Sequence, residues 1–177
     1  MITETSNKNE LLTAIEEEVS QLRNLFSSLD EDRINSIPYK DSWTAAQLLR
    51  HVTKSTDGMT KGLETKSKPA ERDAGEKIPE LKKAFLDFYS KMKSPDFIVP
   101  EEGPYEKQAA IEELNKSFEF LKESANNANL TDIVEGLPLG ATTKLEILHF
   151  VLYHTKRHLH QMKKICDALK ELSLSVG

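Results

Sequence analysis

Cysteine is almost missing from this chain of 177 residues: Cys166 stands alone, which excludes an internal disulfide and a thiolate zinc cage. Seven glycines and seven prolines are few for an all-β protein of this length, which needs many turns. No apolar run approaches the roughly 18–20 residues of a membrane helix. The opening MITETSNKNE lacks the apolar core of a signal peptide. There is no basic excess either. Lys and Arg number 24 against 29 Asp and Glu, so the net charge of −5 argues against a nucleic-acid partner recognised through charge. These absences describe a cytoplasmic protein with no membrane partner. The length suits a single domain over 1–177.

Helical periodicity fills the space. Leu11, Leu12, Ile15, Val19, Leu22 and Phe26 recur at three- and four-residue steps, predicting an amphipathic helix over about 9–28. LDEDRINSIPYKD breaks the pattern, with Pro38 as a stop. Thr44-Ala-Ala-Gln47 has the spacing of a capping box and opens a second helix through Leu48, Leu49, Val52, Met59 and Leu63. TKSKPAERDAGEKIP then reads as a loop, 79–93 as a short helix, and SPDFIVPEEGPY as an extended connection. Ile111, Leu114, Phe118 and Leu121 mark a third main helix over about 105–126. A second loop, LTDIVEGLPLGAT, precedes another capping box, Thr143-Lys-Leu-Glu146. The last helix runs from there to about 172, roughly 45 Å at about 1.5 Å per residue. The expected fold is all-α: a four-helix bundle with a long connection between main helices 2 and 3, and no convincing strand.

Histidine is scarce but clustered. Four of five lie between His149 and His160. At about 100° per residue, His154 and His158 project from one face, one turn apart, and can share a metal ion. His160 and His149 lie about 200° and 180° from His158 and count as bystanders. Gln161 lies on the His158 side, able to contact a ligand or to orient His158. A metal site needs a third ligand. His51, at a core-facing position of the second helix, is the candidate; the other reading is a core-edge histidine satisfied by a carbonyl. Trp43 is a candidate wall of a pocket or a staple at the helix start, and Cys166, on the apolar stripe, reads as buried and inert.

Ser42-Trp43-Thr44 with Gln47 and Leu49-Arg50-His51, followed far downstream by His154-x-x-x-His158-x-x-Gln161, resembles the DinB-like superfamily. The stretch from Lys93 to Pro100 resembles the helix-two-to-three connection of one branch. The resemblance implies a four-helix bundle holding a metal through three histidines, which fall on His51, His154 and His158. Gln161, Trp43 and Gln47 are then candidates for supporting or pocket roles. His160 departs from common members, where a small residue often precedes the glutamine. Some members resemble thiol transferases, so the implied activity is S-transfer with a low-molecular-weight thiol and a small-molecule substrate. Hydrolysis by a bound hydroxide and a non-catalytic stress-related bundle are the alternatives. Imidazole ligation suits a divalent transition metal such as zinc, nickel or iron without choosing among them. Long amphipathic helices could also support a homodimer.

Overall fold

The computed structural model describes residues 4–176. Four long helices form the bundle: α1 (Glu4–Ser27), α3 (Ala45–Glu64), α5 (Lys107–Asn127) and α6 (Lys144–Ser175). A single turn, α2 (Glu31–Ile34), follows α1, and α4 (Ile78–Leu86) lies in the long connection between α3 and α5. α1 packs on α6, and α3 packs on both α5 and α6. The core stripe of α1 is buried as its periodicity predicts, with Leu22 and Phe26 fully inside. Each such side chain contributes about 1.5–3 kcal/mol of transfer free energy. Leu114 and Leu121 anchor α5, while Ile111 and Phe118 are half-buried. No described helix is long and apolar enough to cross a membrane.

Both capping boxes are formed. Thr44 Oγ1 accepts from Gln47 N at 3.1 Å, and Gln47 Oε1 accepts from Thr44 N at 3.0 Å. Thr143 and Glu146 make the same exchange at the start of α6. These reciprocal bonds satisfy N–H groups that a helix start leaves without partners, which fixes where α3 and α6 begin.

Three expectations need correction. The segments read as loops contribute a small antiparallel sheet, β1 (Lys68–Pro69), β2 (Asp132–Val134) and β3 (Thr142–Thr143), with Lys68 opposite Ile133 and Ile133 opposite Thr143. Strands of two or three residues are too short to show alternation in sequence. The short helix read over 79–93 ends at Leu86, because the Asp87 carboxylate accepts from Tyr89 N and Ser90 N and turns the chain. The connection read as extended contains a 3₁₀ turn, Asp96–Ile98.

Candidate metal centre

α3 and α6 run antiparallel. Gly62, near the end of α3, lies against Ile147 near the start of α6, while His51 meets His154 and His158 about two to three turns further along α6. The helix spacing stacks His154 and His158 on one face, and α3 brings His51 across to them. Their Nε2 atoms form a near-equilateral triangle: 3.1 Å from His51 to His154, 3.0 Å from His51 to His158 and 3.1 Å from His154 to His158. All three residues are buried. They are the metal-capable cluster among the described residues.

The outer nitrogens settle which inner ones carry protons. Nδ1–H of His51 donates to Ile98 O at 3.0 Å, and Nδ1–H of His158 donates to Gln161 Oε1 at 2.9 Å. Neither acceptor can donate from that oxygen, so both Nε2 atoms present bare lone pairs. The 3.0 Å contact between them is therefore not a hydrogen bond. Two lone pairs facing each other in a buried site are mutually repulsive unless a cation draws them together. The spacing fits such a cation. With metal–nitrogen bonds of about 2.05 Å, tetrahedral ligands stand about 3.3 Å apart and facial octahedral ones about 2.9 Å. The observed triangle falls between these values, so both coordination types are accommodated.

Burial also keeps the imidazoles neutral, the form that binds metal. Desolvation pushes His158 down to about 3, with the neighbouring His51 adding to the effect. It also drives His154 well below its ordinary range and lowers His51. Since the folded values lie below the unfolded value of about 6.5, the unfolded chain takes up protons first as pH falls. Metal-free protein should thus keep its full stability above about pH 6.5 and lose it progressively below. Each histidine accounts for up to about 1.4 kcal/mol per pH unit. Thermal melts of chelator-treated protein between pH 7.5 and 5 check this: the melting temperature falls across that window, and less so in His158→Gln.

Aromatic rings wall the centre. Trp43 lies 4.9 Å from His51 between ring centroids, and Phe150 lies 5.1 Å from His154, with Phe85 packed edge-on to Phe150 at 5.0 Å. A strap, residues 87–99, closes over them. Arg157, one residue before His158, donates to Asp87 O and Ser90 O, and His160 stacks on Phe88 at 4.4 Å with the planes 9° apart. Together these elements line a half-open cavity of about 910 Å³ that reaches the three histidines.

The structure thus brings His51, His154, His158, Gln161 and Trp43 to one site. Gln47 does not join them. Its amide oxygen is taken by the capping box, and the side chain does not line the cavity. His160 is outside the ligand triangle, as its angle predicts, yet it lines the cavity through its stack on Phe88. His149 lies apart against Tyr153, its Nδ1 buried without a partner among the described residues. Cys166 is buried, and burial pushes its thiol up. The carbonyl of Ile98 and the Arg157 grip on the strap carry no signature in sequence, since a backbone oxygen is the same in every residue.

Comparison with known proteins identifies the family. A profile described as DinB superfamily matches residues 14–162, which include all three histidines. A curated relative, the uncharacterized protein YuaE of Bacillus subtilis (strain 168), is 27% identical over 158 residues, covering 83% of this chain and 91% of that protein. No solved structure matches. The chain belongs to the DinB superfamily.

Proposed function

We propose that this protein is a metal-dependent group-transfer enzyme that binds a divalent zinc, nickel or iron ion through His51, His154 and His158 and activates a small thiol for S-transfer. The observation that carries this reading is the convergence of three Nε2 atoms, two with their lone pairs fixed inward, at the floor of an aromatic-walled cavity. A divalent ion held by neutral imidazoles keeps its full charge and stabilises a bound thiolate near neutral pH. The chain's own groups do the rest. Ile98 O and Gln161 hold His51 and His158 in the required tautomer. Trp43, Phe85 and Phe150 limit water around the sulfur, and Arg157 keeps the strap in place.

The cavity extends to both sides of the histidines. Ser55, Met59 and Leu139 line it toward the end of α3, and Lys40, Gln161 and Lys164 line it on the other side. That shape suits two reactants meeting at the centre. In the reaction a sulfur–carbon bond forms, the acceptor's leaving group departs with its electron pair, and the thiol proton passes to solvent. Hydrolysis has weaker support. The only carboxylates lining the cavity among the described residues are Asp41 and Asp57, and Asp57 is engaged by the Ser117 hydroxyl. A general base would have to come from one of these two.

The test is a panel of small thiols with an aryl chloride acceptor, run on protein reloaded with each metal. Metal-dependent thioether formation is expected, reduced at least about 100-fold in His154→Ala, the scale of loss when an activating centre is removed. Ester or amide hydrolysis that needs no thiol would overturn the proposal in favour of a hydrolase.

A further inference from the structure

The hydroxyls of α3 divide into two groups. Thr53, Thr56 and Thr60 each donate to the carbonyl four residues back, at 3.0, 2.8 and 3.0 Å. This is the ordinary way a buried helical hydroxyl is satisfied. Ser55, one turn beyond His51, does not do so. It is only 3% exposed, it lines the cavity, and its oxygen has no hydrogen-bond partner among the described residues while remaining open to the cavity. The hydroxyl is therefore reachable from the cavity by a water or by a polar atom of a ligand, while the rest of the residue is buried.

Two further observations extend from Ser55 along the same helix face. Gly58 lines the cavity, and a Cβ placed there would meet nothing within 4 Å. Open space therefore continues past Ser55, bordered by the apolar side chains of Met59 and Leu139. At the far end stands Lys61, exposed and without a salt-bridge partner among the described residues. The lining as a whole is cationic. Seven Lys and Arg side chains face two Asp, a local excess of +5 on a chain whose net charge is −5. A cleft of one sign with low-dielectric walls concentrates ligands of the opposite sign.

The geometry points to a subsite for an elongated amphipathic anion along α3: its head at the metal centre, a polar atom hydrogen-bonded to Ser55, its apolar body over Gly58 and Met59, and its acid group at Lys61. From His51 to Lys61 is ten residues, or about 15 Å of helix, which sets the length of the ligand. This inference rests on the proposed function for the identity of the head group, a thiol, but not for the tail.

A graded series of ω-mercaptoalkanoates, from three to eleven carbons, tests it on cobalt-loaded protein through the sulfur-to-cobalt charge-transfer band. Affinity should rise with chain length, and the eleven-carbon acid should bind about tenfold more tightly than the alcohol of the same length. Gly58→Leu fills the open space and favours the helix. It should weaken the eleven-carbon acid at least tenfold and leave the three-carbon acid within about twofold. Lys61→Glu should erase the preference for acid over alcohol. Ser55→Ala should weaken the three- and four-carbon acids, whose carboxylate reaches its hydroxyl, by several-fold, and leave the eleven-carbon acid, which has only methylenes at that height, within about twofold. Equal affinity at all lengths, or no response to Gly58→Leu, overturns the subsite. If no thiol gives the band, the thiol reading fails instead. Decanoate binding, followed by calorimetry in the same variants, then decides the subsite on its own: loss in Gly58→Leu and Lys61→Glu supports it, and unchanged or absent binding overturns it.

Discussion

Stripped with a chelator and reloaded with zinc, nickel or iron, the protein is expected to hold about one ion per chain, and alanine at His51, His154 or His158 to weaken that binding at least about 100-fold. The three histidines contribute near-equivalent nitrogens, 3.0–3.1 Å apart, so no one of them is dispensable. Losing one leaves two imidazoles, too few for a stable site where, among the described residues, no carboxylate or thiolate joins the cluster as a replacement. Gln161→Leu should cost less, about tenfold, because it removes an orienting bond and leaves the ligand. His149→Ala and His160→Ala should retain full occupancy. Metal counted per chain on untagged protein reads all of these, with helical content by circular dichroism showing that each variant folds. Substoichiometric metal in the parent with all three ions would defeat the assignment. Equal loss in His160→Ala would show that the ligand face of α6 is wrongly drawn.

Much of this site was legible in the sequence because helices make it so. The step from His154 to His158 is a statement about one helix, and His51 stands in register with Leu48 and Val52, whose burial ties it to the core. The capping boxes likewise are local, and they fix the start of both ligand-bearing helices. Gln47 shows the limit of the same reasoning. A glutamine one turn before a ligand suits a pocket as well as a cap, and only the formed bond to Thr44 N decides between them. The two readings of His51, metal ligand or histidine satisfied by a carbonyl, turn out to be compatible. One ring nitrogen takes the carbonyl of Ile98 and the other joins the cluster. That carbonyl lies 47 residues away in a segment with no periodicity, and its placement depends on the strap that Arg157 holds. Contacts to backbone oxygens, and strands of two or three residues, leave no pattern to read.

The largest expected effect on stability lies away from the histidines, at the start of α6. Arg72→Ala should destabilise the protein by about 3 kcal/mol at pH 7, in the range for breaking a buried ion pair. The Glu146 side chain is fully buried, and its carboxylate accepts four bonds: from Arg72 Nη1 at 2.7 Å and Nη2 at 2.8 Å, from Lys77 N at 2.8 Å, and from Thr143 N at 2.9 Å. One side chain therefore caps α6 and fastens the segment entering α4. Burial alone would raise this carboxyl, but Arg72 and the two backbone N–H groups outweigh it and hold it below the usual carboxylate range. A lowered value in the fold means the stabilisation is complete above the unfolded value of about 4.3 and is lost as pH falls through the folded one. Without Arg72 the balance reverses, because desolvation then dominates and favours the protonated acid. The deficit of the variant should consequently narrow as pH is lowered from 7 to 5, where protonation relieves the unpaired buried charge. Urea unfolding of parent and variant at the two pH values measures this, with histidine titration common to both and cancelling in the difference. A deficit that stays constant or widens would mean Arg72 acts through packing alone. The same substitution should reach the metal centre only weakly. α4 carries Phe85 against Phe150, so loosening its entry disturbs the wall, whereas the ligands themselves stand on α3 and α6. Metal affinity should fall by less than about tenfold, the scale of a lost supporting contact.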